Sequence, residues 1–474
     1  MSMNITLVNP PYPPNAHQHP SFIPLGLGYL AAVLEKAGYA VKVIDCQAQK
    51  ITYSDVEREL SNSQPKMVGV TSTTLTYKSA LKIIKIAKKT HPNCLTVLGG
   101  CHVTFWDDKA LQECPELDIV VRREGELTIT EIAERVKESK SLSGILGTTL
   151  RENGQIVRNT DRPYIQDLDS LPFPAHHLLP LADLKSMGRY IFPITTSRGC
   201  LYWCNFCTTV RMFGRGYRER SPKNVVDEME FLHKKYGAKQ FTFYDDAFTV
   251  NQARTIQICN EILSRGLKVE WDCETRVDMI TKELLQTMKD AGCIAVWFGV
   301  ESGSQKVLQQ MGKNFKLDQT RRAFKWAKET GLLTEASAIF GFPGETKESL
   351  TQTMKFAEQL DPILLGYYIA TPYPGTPLYD YVKDNGLLKV TDFDKYDTAT
   401  PTFETPTLSM KELGELRDKA YHRFYIRPTY MIRTLWLGIA HGVGSDKGGI
   451  YGIASARNAF ARFLRALGYR FTSR

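Results

Sequence analysis

Two stretches of alternating apolar and amphipathic segments divide this chain. In the first, short apolar runs at residues 5–8, 40–45, 67–71, 95–98 and 118–121 read as strands, and residues 25–37 and 77–89 carry apolar positions at helical spacing. This strand–helix alternation predicts a doubly wound parallel sheet with its ligand site at the carboxyl ends of the strands. A break follows. Residues 148–157 alternate around Asn153-Gly154, a hairpin turn pair, and Leu171-Pro172-Phe173-Pro174-Ala175 interrupts regular structure. The rhythm then resumes, with strand runs at 192–196, 240–244, 270–275, 295–300, 335–340 and 365–370. The expected organisation is α/β throughout: an N-terminal domain (1–140), a connector with a hairpin (141–189), a six-stranded domain (190–389) and a helical C-terminal region (390–474).

Charge changes the picture only at the end of the chain. Residues 421–474 hold eight Arg and one Lys against one Asp, so +8 of the net +9 sits there and the body is near neutral. Within residues 455–471, Phe460, Phe463, Leu464, Leu467 and Phe471 share one helical face, with Arg457, Arg462 and Arg465 opposite. Such a basic helix suits an anionic membrane surface, and the apolar residues 424–440 add to it. A helix packed on the six-stranded domain with solvated arginines is the alternative. Nucleic-acid binding is not expected, because no recognised module accompanies the charge.

Ten cysteines in a chain of 474 residues do not read as a disulfide framework. With no signal peptide and no apolar run of membrane-spanning length, the expected location is a reducing cytoplasm, with peripheral contact at the inner membrane face through the tail. Cys259, Cys273 and Cys293 stand singly and read as core thiols.

Cys200, Cys204 and Cys207 differ. They fall in Gly199-Cys200-Leu201-Tyr202-Trp203-Cys204-Asn205-Phe206-Cys207, a Cys-x3-Cys-x2-Cys spacing directly after a strand run. Three thiolates so close can hold three irons of a 4Fe-4S cluster and leave the fourth open to a small molecule. A structural zinc site needs four ligands, usually in pairs, and no second pair follows.

This spacing resembles the radical S-adenosylmethionine superfamily, whose open iron chelates the amino and carboxylate groups of S-adenosylmethionine. Further pieces match that superfamily in order: Tyr244-Asp245-Asp246-Ala247-Phe248-Thr249, Gly299-Val300-Glu301-Ser302-Gly303-Ser304, Gly341-Phe342-Pro343-Gly344-Glu345-Thr346 and Thr371-Pro372-Tyr373-Pro374-Gly375-Thr376-Pro377. In the first domain, Asn9-Pro10-Pro11, residues 24–30, Gly99-Gly100-Cys101-His102 and Glu124-Gly125-Glu126 resemble the cobalamin-binding domain that precedes many of these enzymes. The chain is thereby identified as a member of the radical S-adenosylmethionine enzymes with a cobalamin-binding domain, similar to hopanoid and other lipid methylases and to the anaerobic magnesium-protoporphyrin ester cyclases. No Asp-x-His-x-x-Gly motif is present, so cobalt is not expected to be bound through that histidine.

The resemblance implies a Rossmann-like cobalamin domain followed by a partial (βα)6 barrel. Its implied cluster ligands and catalytic centre are Cys200, Cys204 and Cys207. Phe206 resembles the aromatic packed on the adenine. Asp245, Asp246 and Arg276 are placed near the ammonium and carboxylate of the methionine moiety, and Glu301 and Ser302 near the ribose and carboxylate. Asn9, Ser72, Thr73, Gly99, Gly100, His102 and Glu124 fall at the cobalamin site. The implied cofactors are a 4Fe-4S cluster, S-adenosylmethionine and cobalamin, and the implied electron donor is of the flavodoxin or ferredoxin type. The implied chemistry is reductive cleavage of S-adenosylmethionine to a 5′-deoxyadenosyl radical and methylation of an unactivated carbon of an apolar, lipid or tetrapyrrole-like, substrate. Oxidative cyclisation or C–C bond formation is the alternative reaction. An iron–sulfur sensor or nucleic-acid-binding module without turnover is the alternative of another class.

Overall fold

The computed structural model describes residues 3–14, 16, 23–186 and 191–433. The amphipathic segment at 455–471 lies outside the described residues. In the N-terminal domain, β1 (Asn4–Asn9), β2 (Ala40–Asp45), β3 (Met67–Thr71), β4 (Leu95–Gly99) and β5 (Ile119–Val121) form a parallel sheet in the order β2-β1-β3-β4-β5. Val8, Ile44, Val68 and Leu98 point to one face and pack under the helices Tyr53–Ser63 and Tyr77–Thr90. Ile5, Leu7, Met67 and Val97 point to the other, under Leu25–Lys36 and Glu126–Lys137. Burial of both faces is why these strands read as continuous apolar runs.

The hairpin of the expected connector belongs to this sheet. β6 (Thr148–Glu152) pairs antiparallel with β5, and β7 (Gln155–Arg158) pairs antiparallel with β6. It covers an edge of β5 that would otherwise expose unpaired backbone. Asn153 and Gly154 both take the positive φ that such a tight turn requires.

The second domain is an open parallel sheet with strands in chain order, β8 (Phe192–Ile194), β11 (Gln240–Phe243), β12 (Glu270–Thr275), β13 (Cys293–Glu301), β14 (Leu333–Phe340) and β15 (Leu364–Ile369). Between β8 and β11, β9 (Ser197–Arg198) and β10 (Arg218–Glu219) pair antiparallel and close the neck of one long loop. Ser221, Asn251, Thr281, Thr346 and Thr376 each accept an N–H at the start of a helix of this domain, which fixes where each crossover begins. Side chains on β12 alternate: Trp271 and Cys273 pack outward into the core with Cys259 and Cys293, while Asp272 and Glu274 face inward.

The C-terminal region divides between the two domains. Phe393 and Tyr396 insert into the N-terminal core beside Tyr77, and Lys78 pairs with Asp392 at 2.6 Å. The helix Met410–Tyr425 then covers the edge strand β15. The hydroxyls of Tyr421, Tyr425 and Tyr430 bond the backbone of Tyr367, Leu365 and Ile363 at 2.7–3.3 Å. The aromatic residues 424–430, expected to join a membrane-facing segment, are thus used to satisfy an exposed strand edge: Phe424, Tyr425 and Tyr430 are buried. Among the described residues no helix is long and apolar enough to cross a membrane.

Candidate active site

All three cysteines of the Cys-x3-Cys-x2-Cys spacing lie on the loop of residues 199–217, closed at its neck by β9 and β10. Gly199 enters it with φ +92°, where a Cβ would lie 2.1 Å from the Gly216 carbonyl, so no larger residue fits. Gly312 does the same from the far side: its Cβ would lie 2.5 Å from the Trp203 carbonyl. Asn205 anchors the loop, its N–H and side-chain amide donating to Met311 O and Gln310 O at 2.9 and 2.7 Å.

The thiols are half-buried, and loss of water raises all three above the ordinary cysteine value. The positive charges of Lys313 and Arg276 oppose this at Cys204, and hydrogen bonds from Thr209 oppose it at Cys207. Such thiols stay protonated until a metal supplies the charge that makes them ligands. In an iron–sulfur cluster each thiolate binds its own iron, so the sulfurs need not converge on a point; among the described residues no three His, Cys, Asp or Glu side chains do. Three cysteine sulfurs beside a guanidinium and an ammonium are a donor set that fits such a cluster.

Several expected cofactor contacts surround this loop. Arg276 lies 3.6 Å above the Tyr202 ring and makes two 2.9 Å bonds to Asp278, while its buried Nη1 has no partner. Asp246 accepts from Thr209 Oγ1 at 2.7 Å, and desolvation pushes its carboxyl up to about 6. Glu301 has φ +62°, at a register skip between β13 and β14, and pairs with Lys313 at 2.9 Å and Ser337 at 3.2 Å. The Phe206 ring meets Phe342 edge-on at 6.5 Å.

Other expected contacts are turned elsewhere. The oxygens of Asp245 accept from the Thr196 and Ser197 N–H groups and the Thr196 hydroxyl, so this carboxylate ties the turn between β8 and β9 to the end of β11. Ser302 is fully buried and accepts from the Ser304 N–H, and Gly303 packs so tightly on the helix Lys347–Leu360 that a Cβ would lie 2.7 Å from Gln352 O. This motif is a packing corner. Asn9 is committed to Asp45 and Gln47, and Ser72 donates to Gly99 O. Gly100 is required because a Cβ would lie 2.4 Å from Ser72 O. His102 is enclosed by Tyr77, Trp106 and Phe393; its Nδ1 meets Thr74 and burial lowers its pKa to about 3, so it is a neutral core residue. Of the expected N-terminal set, Thr73 is exposed, with its hydroxyl bonded to that of Thr76 at 3.1 Å, and Gly99 has its nearest Cβ neighbour at 3.6 Å.

Glu124 has a different role. Its carboxylate receives Arg198 at 3.1 Å, Arg218 at 2.8 Å and the Ile165 N–H at 2.9 Å, and the neighbouring Glu126 takes the other arm of Arg198. All four side chains are buried. Arg198 and Arg218 face each other across the neck of the cysteine loop. The Glu124-Gly125-Glu126 motif is therefore a clamp from the N-terminal domain onto that neck. Sequence reasoning missed Glu126, Arg198, Arg218 and Lys313; the signal available was the unbalanced arginine pair flanking the cysteines.

A second set it missed lines the barrel interior. Desolvation raises the carboxyls of Asp272 and Glu274, and the neighbouring Glu335 raises both further; the Glu274 carboxyl reaches about 7. Thr242 donates to Asp272 at 3.1 Å. The two strand-end surfaces face each other: a Cβ on Gly375 after β15 would lie 2.4 Å from Phe105 after β4, and Trp106 meets Tyr379 edge-on. The loop after β14 is closed on itself by Glu345, which accepts from Gly341 and Phe342 N–H at 2.7 and 3.1 Å.

Burial pushes the Glu345 carboxyl from an ordinary 4.5 up to about 8. Between these values the folded chain keeps a proton that the unfolded chain releases, so stability is full below the lower value and falls as pH rises through the window. Glu345→Gln keeps an acceptor and removes the titration. Its unfolding midpoint is expected to fall less than that of the parent between about pH 5 and about pH 8, measured by thermal unfolding; equal slopes would show that Glu345 does not titrate there.

Residues 16–133 match the B12 binding domain family and residues 194–357 the Radical SAM superfamily. The chain is 39% identical over 413 residues to an uncharacterized methyltransferase of Pyrococcus horikoshii, covering 87% of this chain and 90% of that one. It is 32% identical to the anaerobic magnesium-protoporphyrin IX monomethyl ester cyclase of Cereibacter sphaeroides, over 90% of this chain and 71% of that one. Among solved structures, the radical S-adenosylmethionine methyltransferase TsrM of Kitasatospora setae, with cobalamin and a [4Fe-4S] cluster bound, shares the fold at TM-score 0.74 and 19% identity, over 99% of this chain and 100% of that one. OxsB with aqua-cobalamin and S-adenosylmethionine bound aligns at TM-score 0.76 and 20% identity, over 98% and 72%. The chain thus belongs to the cobalamin-dependent radical S-adenosylmethionine methyltransferase family, whose cofactors are a 4Fe-4S cluster, S-adenosylmethionine and cobalamin.

Proposed function

We propose that this enzyme transfers a methyl group to an unactivated carbon of a largely apolar substrate held between the two strand-end surfaces. The observation that carries this reading is the cysteine loop clamped, through Arg198 and Arg218, to the N-terminal domain whose strand ends face the barrel mouth. The bound cofactors supply the radical and methyl-transfer chemistry. Cys200, Cys204 and Cys207 hold the cluster, Arg276 offers its free Nη1 to the cofactor carboxylate, and Asp246 offers a carboxyl to its ammonium. Thr73 and Gly99 leave room for cobalamin.

The acids of the barrel interior narrow the substrate. The desolvated carboxyls of Asp272 and Glu274, beside Glu335, favour a hydrogen-bond donor or positive charge at the end that enters the barrel. Oxidative cyclisation is the second reading, supported by the similarity to the cyclase relative. Mass spectrometry of lipid and aqueous extracts, from cells with the parent enzyme and with Cys200→Ala, separates the two. A product heavier by one methylene unit only with the parent supports methylation. A product lighter by hydrogens, or ring-altered, moves the assignment to oxidation, and a change confined to polar aqueous products overturns the apolar substrate.

A further inference from the structure

We propose that the outer surface of the cysteine loop is the docking surface for an acidic one-electron carrier protein, with Leu201, Trp203 and Arg215 at its centre. The inference rests on the proposed function, which requires an electron from outside for each reductive step. Residues 197–218 contain four arginines and no Asp, Glu or Lys. Two of these, Arg198 and Arg218, are buried and neutralised by Glu124 and Glu126. The other two, Arg211 and Arg215, have no ion-pair partner among the described residues and lie over the Trp203 ring at 5.1 and 4.2 Å. Asp380 acts on Arg211 only at a distance.

Beneath these guanidiniums the loop presents apolar surface. Trp203 is 41% exposed and Leu201 54%, whereas Tyr202 between them turns inward onto Arg276. An exposed tryptophan flanked by uncompensated arginines is the composition of a binding hot spot, and its positive sign selects an acidic partner. Leu201 follows Cys200 and Trp203 precedes Cys204, so a carrier seated here lies a few bonds from two cluster ligands. In the step itself the carrier loses one electron and the cluster gains one, with no atom transferred.

The test uses cluster-reconstituted holoenzyme and two reductants: a flavodoxin reduced to its hydroquinone, and photoreduced deazaflavin, a small uncharged donor. Cluster reduction and 5′-deoxyadenosine formation are followed for the parent, Arg215→Glu and Leu201→Glu. With flavodoxin, each variant is expected to be reduced at least about tenfold more slowly than the parent at low salt, with the gap closing as salt rises. With deazaflavin all three are expected to react alike. Because either substitution alone carries the test, loss of cluster in one leaves the other decisive. Variants reduced by flavodoxin as fast as the parent, with the same salt dependence, would overturn the docking surface. Failure of the parent to cleave S-adenosylmethionine with deazaflavin would instead sink the proposed function.

Discussion

Cys200→Ser, Cys204→Ser or Cys207→Ser is expected to abolish iron retention and 5′-deoxyadenosine formation, while Cys259→Ala keeps both. Under the proposed function the cluster's fourth iron would be reserved for the cofactor, so these three thiolates would be its whole protein ligand set, and two would not suffice. The loop cannot recruit a replacement. Gly199 and Gly312 fix its path with approaches no side chain tolerates, and Asn205 ties its middle to the barrel. Cys259, Cys273 and Cys293 are buried in the core, where their thiols pack as apolar groups. Iron analysis after anaerobic reconstitution, with chromatography of the cleavage products, checks this. Full iron content and cleavage in any of the three serine variants would remove that cysteine from the ligand set.

The second large effect is expected at Glu124. Glu124→Ala leaves Arg218 without its carboxylate and Arg198 with Glu126 alone, both in a dry interface. Breaking a buried ion pair from one side costs about 3–5 kcal/mol, because the remaining charge is neither solvated nor matched. The loss falls on the neck of the cysteine loop, so under the proposed function the clamp would position the cluster as well as the domains. Glu124→Gln keeps the bond from the Ile165 N–H and removes the charge, and is expected to fall between parent and alanine variant. The discriminating readout is the fraction of S-adenosylmethionine cleavage that ends in methylated product. That fraction is expected to drop in Glu124→Ala even at temperatures where the variant is folded and fully loaded with iron. An unchanged unfolding midpoint and unchanged coupling would show that the clamp is dispensable.

Much of this architecture is written in local pattern. Continuous apolar runs at β1, β3 and β4 report a sheet buried on both faces, and the six later runs report the barrel strands in order. The cysteine spacing needs no tertiary information, because all three cysteines lie within one loop. The hairpin turn was equally plain at Asn153-Gly154, but not where it docks. Its place at the edge of β5 depends on which strand lacks a neighbour, which only the assembled sheet defines.

The site contacts divide in the same way. Local spacing marks the cysteine loop, the two α/β units and their strand ends, since each follows from a few neighbouring residues. Tertiary structure decided which polar side chains at those ends are free. Asp245, Ser302, Asn9 and His102 carry the right chemistry in the right place along the chain, yet Thr196, Ser304, Asp45 and an aromatic cage occupy them. A buried polar group takes whatever partner folding brings to it, and those partners lie from two to about fifty residues away in three of the four cases and come from a C-terminal strap, Phe393, in the fourth. Glu124 meets Arg198 and Arg218 across 74 and 94 residues for the same reason. Buried charge must be paired, and only the folded chain shows with what.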